Sequence, residues 1–396
     1  MLSAKSTRLF CDLQKCGSRS EEITNNEDVL QEILVKLPIK VLLSFKCVSK
    51  QWLSIISSLQ FGYLHFCSNP STNVVYGLVL YQLPRPHHPE YDFIFLSGES
   101  NVNPFRSLTF VDGNSDIHRI SSCKGLLCLC IVRYESVRSY EYHICNPTTN
   151  KSIKLPNLER PPVSGILSMT IAFDPHRSPF YKVVCVWSVG MLYRFSTYSS
   201  ETKIWSDAGT SLEMRNSDYY LFRRGVFWNS SVHWVSKLGP FLRFDMDKEC
   251  LEMMPATQIQ KDRATRRIRY FGESHGHLHL IEIRKHEARF FDILEMKRDY
   301  SEWFVRYRVD FGRLYGILPE NMAYPWKFYV LYIFHLENEK DIFRLVLSTA
   351  VSTYLFLVSD NSYILEKVGH LYHDVKGKIH YKWYYCHQHI MTLAAV

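Results

Sequence analysis

Before residue 60 the chain is nearly without glycine, proline or aromatic side chains. Gly17 and Pro38 are the only examples of their kind there, and Phe10, Phe45 and Trp52 are the only aromatics. That argues against strands and tight turns in this segment, since both draw on these residues. Long apolar runs are also missing. The longest, Leu345 to Val358, is broken by Ser348, Thr349, Ser352 and Thr353. It is too short to cross a bilayer as a helix and is read as strands, with no membrane partner expected. Met1 to Phe10 mixes Lys5 and Arg8 with polar groups and holds no apolar stretch of secretory length. The 11 cysteines are odd in number and irregular in spacing, so they are read as reduced thiols of an intracellular protein of the nucleus or cytoplasm. No Walker loop, Rossmann glycine pattern, Gly-x-Ser-x-Gly elbow or His-Glu-x-x-His is present. Nothing assembles a nucleophile with a base and an orienting group, so neither catalysis nor a cofactor is expected. A net charge of +8 over 396 residues suits an acidic partner without demanding nucleic acid.

What the amino-terminal segment does contain is helical periodicity. Residues 1–23 are polar and mixed and are read as a disordered tail. Thr24 with Glu27 matches a capping box, in which each side chain satisfies a free amide at a helix start. Val29, Leu30, Ile33, Leu34 and Leu37 then recur at three- and four-residue spacing, which places them on one helical face. Pro38 ends that helix, because it lacks the amide that would continue the ladder, and it suits the first turn of a second. Val41, Leu42, Phe45 and Val48 form the next apolar stripe. Ser49 could cap a third helix with Trp52, Leu53, Ile55 and Ile56 on its inner face. Periodicity alone leaves open whether the chain breaks at Ser49 or runs through it. Roughly 35 residues in three short helices are too few to shield about a dozen large apolar side chains. The segment therefore packs on the downstream domain or on a partner.

The stretch "EDVLQEILVKLPIKVLLSFKCVSKQWLSII" resembles an F-box, the motif that docks onto the Skp adaptor of cullin-type ubiquitin ligases. Glu32-Ile33-Leu34, Leu37-Pro38 with Lys40, Leu42-Leu43, Phe45-Lys46 and Val48-Ser49-Lys50 before Trp52 carry the likeness. Where the family usually opens its first helix with Leu-Pro, this chain has Asn26-Glu27. The resemblance implies that apolar helices lie in a partner's groove. The adaptor-binding residues expected from it are Leu30, Ile33, Leu34, Leu37, Pro38, Leu42, Val48 and Trp52, although Trp52 could equally tie the helices together.

From Val74 onward, short apolar runs alternate with turn residues. "GLLCLCIV" and "YHIC" lead through Asn146-Pro147-Thr148-Thr149 to "KSIKLP". "GVFWNSSVHWVS" leads to "FLRFDMDKECLEMMP", and "GESHGHLHLIEI" to "ARFFDILEMK". Gly125, Gly225 and Gly276 open these units, and Pro156 and Pro255 close two of them. Three or four strands per 40 to 50 residues suggest propeller blades, about six or seven in all. "SSCKGLLCLC", "YHICNPTTNKSIKLP", "YSSETKIW" and "GVFWNSSVHW" are similar to the plant F-box-associated domain, often described as Kelch-like. Relatives often have Asn-Gly where this chain has Asn229-Ser230, a poorer two-residue hairpin turn.

Three features could carry chemistry. In "HGHLH", His275, His277 and His279 would share one face of a strand and could bind zinc. Cys123, Cys128 and Cys130, with His143 and Cys145, follow no recognised zinc spacing and read as buried small apolar residues. "KDRATRRIR" could be a solvated loop, an import signal, or a rim patch in which Arg263, Arg266, Arg267 and Arg269 attract an acidic or phosphorylated target. The expected architecture is thus an all-α F-box of three helices over residues 24–66, then an all-β propeller over 67–396. The expected role is the substrate receptor of a Skp–cullin–F-box ubiquitin ligase. A propeller enzyme or metal protein centred on the histidine strand is the alternative.

Overall fold

The computed structural model describes residues 27–69, 74–81, 91–96, 115–134, 138–159, 165–213, 222, 224–236, 240–257, 266–284, 290–310, 328–335, 343–348, 352–358, 363–370 and 383–396. The amino-terminal tail, Thr24 and Arg263 lie outside these residues.

The apolar stripes become helices α1 (Glu27–Leu34), α2 (Ile39–Phe45) and α3 (Lys50–Ser57). Pro38 stands at the N-cap of α2, and its carbonyl accepts the amides of Val41 and Leu42. At Ser49 the backbone is extended and the hydroxyl accepts the Trp52 amide at 3.2 Å, so the chain does break there. Ser58 repeats the device on Phe61 at 3.1 Å and starts a fourth helix, α4 (Leu59–Ser68). Leu30, Leu34, Ile39, Leu42, Ile55, Ile56 and Phe61 form the core of this unit. His65 and Asn69 complete it by donating to carbonyls left free at the end of α1. His65 reaches Leu37 O at 2.8 Å, and Asn69 reaches Val35 O at 2.8 Å. No described helix is long and apolar enough to cross a membrane.

The remainder is a six-bladed propeller. β1 (Val75–Tyr81) and β2 (Tyr91–Phe95) are joined by β23 (Cys386–Ile390), in the order β2-β1-β23. The second blade is β3 (Ser115–Cys123), β4 (Leu126–Tyr134), β5 (Arg138–Asn146) and β6 (Lys151–Lys154). The third is β7 (Gly165–Ala172), β8 (Lys182–Val189), β9 (Leu192–Ser199) and β10 (Ile204–Glu213). The fourth is β11 (Val226–Trp228), β12 (Ser231–Trp234), β13 (Leu242–Asp245) and β14 (Cys250–Met253). The fifth is β15 (Arg266–Ser274), β16 (His277–Arg284), β17 (Phe290–Met296) and β18 (Trp303–Asp310). The sixth is β19 (Tyr329–His335), β20 (Phe343–Ser348), β21 (Ser352–Val358) and β22 (Tyr363–His370). All described pairings are antiparallel between chain neighbours, except β23 with β1, which brings the two ends of the ring together. The first strands of successive blades lie against one another from β3 through β7, β11 and β15 to β19, and β23, in that place for the blade of β1 and β2, lies against β3, so that these strands line the axis. Leu345 to Val358 falls on β20 and β21, strands as its broken pattern predicts.

Aromatic residues fill the space between blades. Phe195 of β9 stacks on Phe244 of β13 at 5.6 Å, and Trp234 meets Phe222 edge-on at 5.4 Å. The two prolines that close repeat units have a definite task. Pro156 O accepts Trp205 Nε1 at 2.8 Å, and Pro255 O accepts Trp303 Nε1 at 3.1 Å, each tying one blade to the next. Lys124-Gly125, Asn229-Ser230 and His275-Gly276 form equivalent two-residue turns with positive φ at both positions. The structural counterpart of Gly125 and Gly276 is therefore Ser230, not Gly225. Ser230 carries φ 56 without glycine's freedom.

Residues 391–396 follow β23 and wedge between the helices and the second blade. Asn146, fully buried, donates to Thr392 O at 3.0 Å and Ala394 O at 2.8 Å. Its Oδ1 also accepts the Thr148 amide at 2.9 Å. Leu393 enters the core of the helical unit, while Ala394 enters the core of the second and third blades. A Cβ on Gly125 would lie 2.5 Å from Thr392 Cγ2, and one on Gly62 would lie 2.8 Å from Leu393 O, so residues 391–396 form a strap that passes too close for any side chain there.

Asn146→Ala removes both donors and the turn acceptor together. We expect a loss of about 2–4 kcal/mol of unfolding free energy, read from urea midpoints, because buried carbonyls are left unmet. The fold is also expected to be acid-sensitive. Burial lowers His233 to about 3 and His389 to about 4. Both are neutral in the fold, whereas an unfolded histidine titrates near 6.5. Their stability contribution is complete above pH ~6.5 and declines as the pH falls, by about 1.4 kcal/mol per unit for each until its folded value is reached. Melting temperatures at pH 7, 5.5 and 4.5 check this, and His389→Gln should flatten the slope.

Candidate functional site

The residues expected to dock an adaptor divide into two groups. Leu30, Leu34 and Leu42 face inward at 3%, 0% and 0% exposure and build the core of the helical unit. As packed here they offer a partner no surface. A unit this small needs its most regular apolar positions for itself. Ile33 and Val48 face outward, 49% and 48% exposed, and Pro38 is exposed between them in sequence. Leu37 and Trp52 are half-buried, with the Trp52 ring edge-on to Phe45 at 5.2 Å. Leu53, 46% exposed, adds an outward apolar side chain that its periodicity placed on an inner face.

Between the inner strands and turns of the propeller lies a cavity of about 500 Å³. Its wall includes the turn residues Lys124, Asn229 and His275, the inner-strand residues Glu273 and Gln388, and Asp174. Glu273 is held there by the Gly276 amide at 2.8 Å and the Lys124 ammonium at 3.4 Å. Gln388 in turn donates to Glu273 O at 2.6 Å. Phe173, His176 and Arg177 reach the same cavity from the loop between β7 and β8. That loop touches α4 through the Phe66 and His176 rings, 4.9 Å apart, and through Cys67 Sγ on Pro175 O.

A profile of the F-box domain matches residues 26–64, from α1 into α4. F-box protein At5g07610 of Arabidopsis thaliana is 30% identical over 323 residues, covering 77% of this chain and 74% of that protein. This chain belongs to the F-box proteins. F-box/kelch-repeat protein At3g23880 of the same plant is 24% identical over 242 residues, covering 58% of this chain and 64% of that protein. Putative F-box protein At1g32420 is 28% identical over 284 residues, covering 68% and 87%.

In this F-box protein two of the three described arginines of the basic segment, Arg266 and Arg269, are buried and present no rim surface. Arg266 is fully buried; its Nε donates to Glu282 at 2.6 Å and its Nη1 to Ser236 O at 3.0 Å. Thr257 donates its hydroxyl to the other Glu282 oxygen, and the Arg266 guanidinium lies 4.6 Å from the centre of the Phe241 ring. Arg269 is 8% exposed, 5.3 Å from the Tyr329 ring centre. Both sit on β15, an inner strand with no outward face, so their charges are spent within the fold. Arg267 alone of the described three is half-buried, with Nη1 on Arg266 O at 2.8 Å.

The histidines do not converge either. His275 sits in a turn at φ 50 and not on a strand. His277 meets Glu295 at 2.7 Å, while His279 is fully buried with its ring 6.1 Å from that of His277. Among the described residues no three His, Cys, Asp or Glu side chains are placed to hold a metal. Cys123, Cys128 and Cys145 are buried, and burial pushes the Cys123 and Cys145 thiols up to about 12, which suits core packing rather than ligation. Arg266→Met should cost about 3–5 kcal/mol, because it strands Glu282 in the interior. Adding Glu282→Leu should restore most of that, whereas Arg267→Ala should change stability by less than about 0.5 kcal/mol in urea denaturation.

Proposed function

We propose that this protein is the substrate-recognition subunit of a Skp–cullin–F-box ubiquitin ligase. The observation that carries the reading is the pairing of an F-box at residues 26–64 with outward apolar side chains, Ile33, Val48 and Leu53, on its helices. Exposed apolar residues on short helices are suited to a partner's groove. The Skp adaptor would take this face and link the chain to a cullin, while the propeller holds a target protein. Rate enhancement would come from proximity, with target lysines held near a thioester borne by another protein. This chain would supply no catalytic group, and its compartment would be the nucleus or cytoplasm.

The joint between the units supports the reading. A receptor that sets distance needs its docking unit fixed on its capture unit, and residues 391–396 are shared by both cores. The test is co-purification with a Skp adaptor of the native chain and of an Ile33→Asp, Val48→Asp variant. Both substitutions lie on exposed positions, so the variant should keep the native circular dichroism and melting temperature. Capture should fall at least about tenfold, the effect of burying an unpaired charge in an interface. Undiminished capture by the folded variant, or no capture by the native chain, would remove the proposal.

A further inference from the structure

Apart from the strap, the helical unit and the propeller each complete their own structure. The ends of the helices are met from within their own unit. Ser49 and Ser58 cap α3 and α4, His65 meets Leu37 O, and Asn69 meets Val35 O at 2.8 Å and His65 O at 2.7 Å. Every buried residue of the helical core lies between Leu30 and Phe61, with the exception of Leu393. The propeller is closed separately, by β23 on β1. Leu393 of the strap is therefore the one buried side chain that the helical core borrows, and Met391 packs against it from outside.

The two sides of the strap are held by different forces. Toward the second blade the grip is polar. Asn146 donates to Thr392 O and Ala394 O, and Thr148 Oγ1 accepts the Thr392 amide at 3.2 Å. Thr392 Oγ1 accepts the Ala394 amide at 3.1 Å within the strap itself. Among the described residues no hydrogen bond joins the strap to a helix. Toward the helices the grip is apolar and non-directional, through Leu393. Opening the polar side would strand a buried amide and two carbonyls, whereas opening the apolar side strands none, so the helix side yields first. The seam is also incompletely filled. A void of about 10 Å³ lies where α4, the strap and the loop between β7 and β8 meet, lined by Gly62, Phe66, Pro175 and Thr392, whereas interiors pack with few voids. The direct contacts beside it are slight. The Phe66 ring meets His176, an exposed residue, and the Cys67 thiol stands 3.7 Å from Pro175 O, a weak donor.

We propose that this joint is a latch that parts between Leu393 and α4, leaving the strap on the second blade and both units folded. Parted, the helices turn relative to the propeller while the chain still joins them through residues 69–74. In a ligase receptor that motion would change the distance between a docked adaptor and a captured target. The latch itself rests on the packing of the seam and stands whether or not the helices dock an adaptor.

Gly62→Val in the whole chain tests this from the helix side. A Cβ there lies 2.8 Å from Leu393 O, a backbone atom of the strap, while valine is no poorer than glycine inside a helix. Leu393→Ala opens the same seam without added bulk and provides the reading should Gly62→Val fail to fold. The native chain is expected to melt in one calorimetric transition. Each seam variant is expected to melt in two, the step that carries the helical ellipticity lying at least about 5 °C below the other. Below both steps each variant should scatter X-rays with a larger radius of gyration than the native chain, at unchanged ellipticity. The Ile33→Asp, Val48→Asp variant leaves the seam intact and should keep the single native transition, so the latch is read apart from adaptor docking. Native scattering in both seam variants, one transition lowered as a whole, or loss of helical ellipticity before heating overturns the proposal.

Discussion

The pairing of β23 with β1 is the constraint on which the rest of the structure hangs. A propeller is a ring of sheets with no covalent closure, and here the last strand of the chain supplies the inner strand of the blade begun by the first. Until that pairing forms, the inner edge of β1 offers unpaired amides and carbonyls, and the cores on either side stay open. The contact is made between residues more than 300 positions apart, so the whole chain has to be ordered before it forms. The ring thus makes a cooperative unit out of blades that bury little individually.

The same closure places the F-box helices. β23 ends at Ile390, and the next six residues run directly from the ring into the groove between α4 and the second blade. Asn146 fixes their path with its amide and fixes its own turn with its carbonyl oxygen. The helical unit is therefore not a bead on a linker. Its position follows from ring closure, through Leu393 on one side of the strap and Ala394 on the other.

Sequence patterning reached the helix stripes, the caps at Ser49, the strand runs and the propeller class because each is a local regularity. It missed α4 because Phe61, Gly62, His65 and Phe66 are all buried, so this helix has almost no polar face to set a period. Burial of Arg266 was illegible for a different reason. Its partner Glu282 stands on the next strand, reached across a register shift between Ile268 and Tyr270, and composition showed only a basic loop. The turn at Asn229-Ser230 forms despite its chemistry, since Arg177 and the Met246 amide both bond to Ser230. Tertiary contacts there offset a local preference worth about 1–2 kcal/mol.

The axial cavity was invisible for the most general reason: its wall is drawn from Lys124, Asp174, Trp228, Glu273, Arg298 and Gln388, none of them neighbours in the chain. What gathers them is the ring itself, which brings inner-strand residues (Trp228, Glu273 and Gln388) together with residues of the turns and loops at one end of the blades (Lys124, Asp174 and Arg298). Blade cores hold apolar residues on both sheet faces, whereas these turns meet loops and chain ends: Gly125 lies against Ile390 and Thr392, Asn229 donates to Arg298 O, and Arg177 bonds to Ser230. Polar and charged residues, Lys124, Asn229 and His275 among them, stand at these turns, where no hydrophobic pattern marks them in the sequence. The outward apolar side chains of the helices and the inner cavity draw on different residues, so a change to one need not disturb the other.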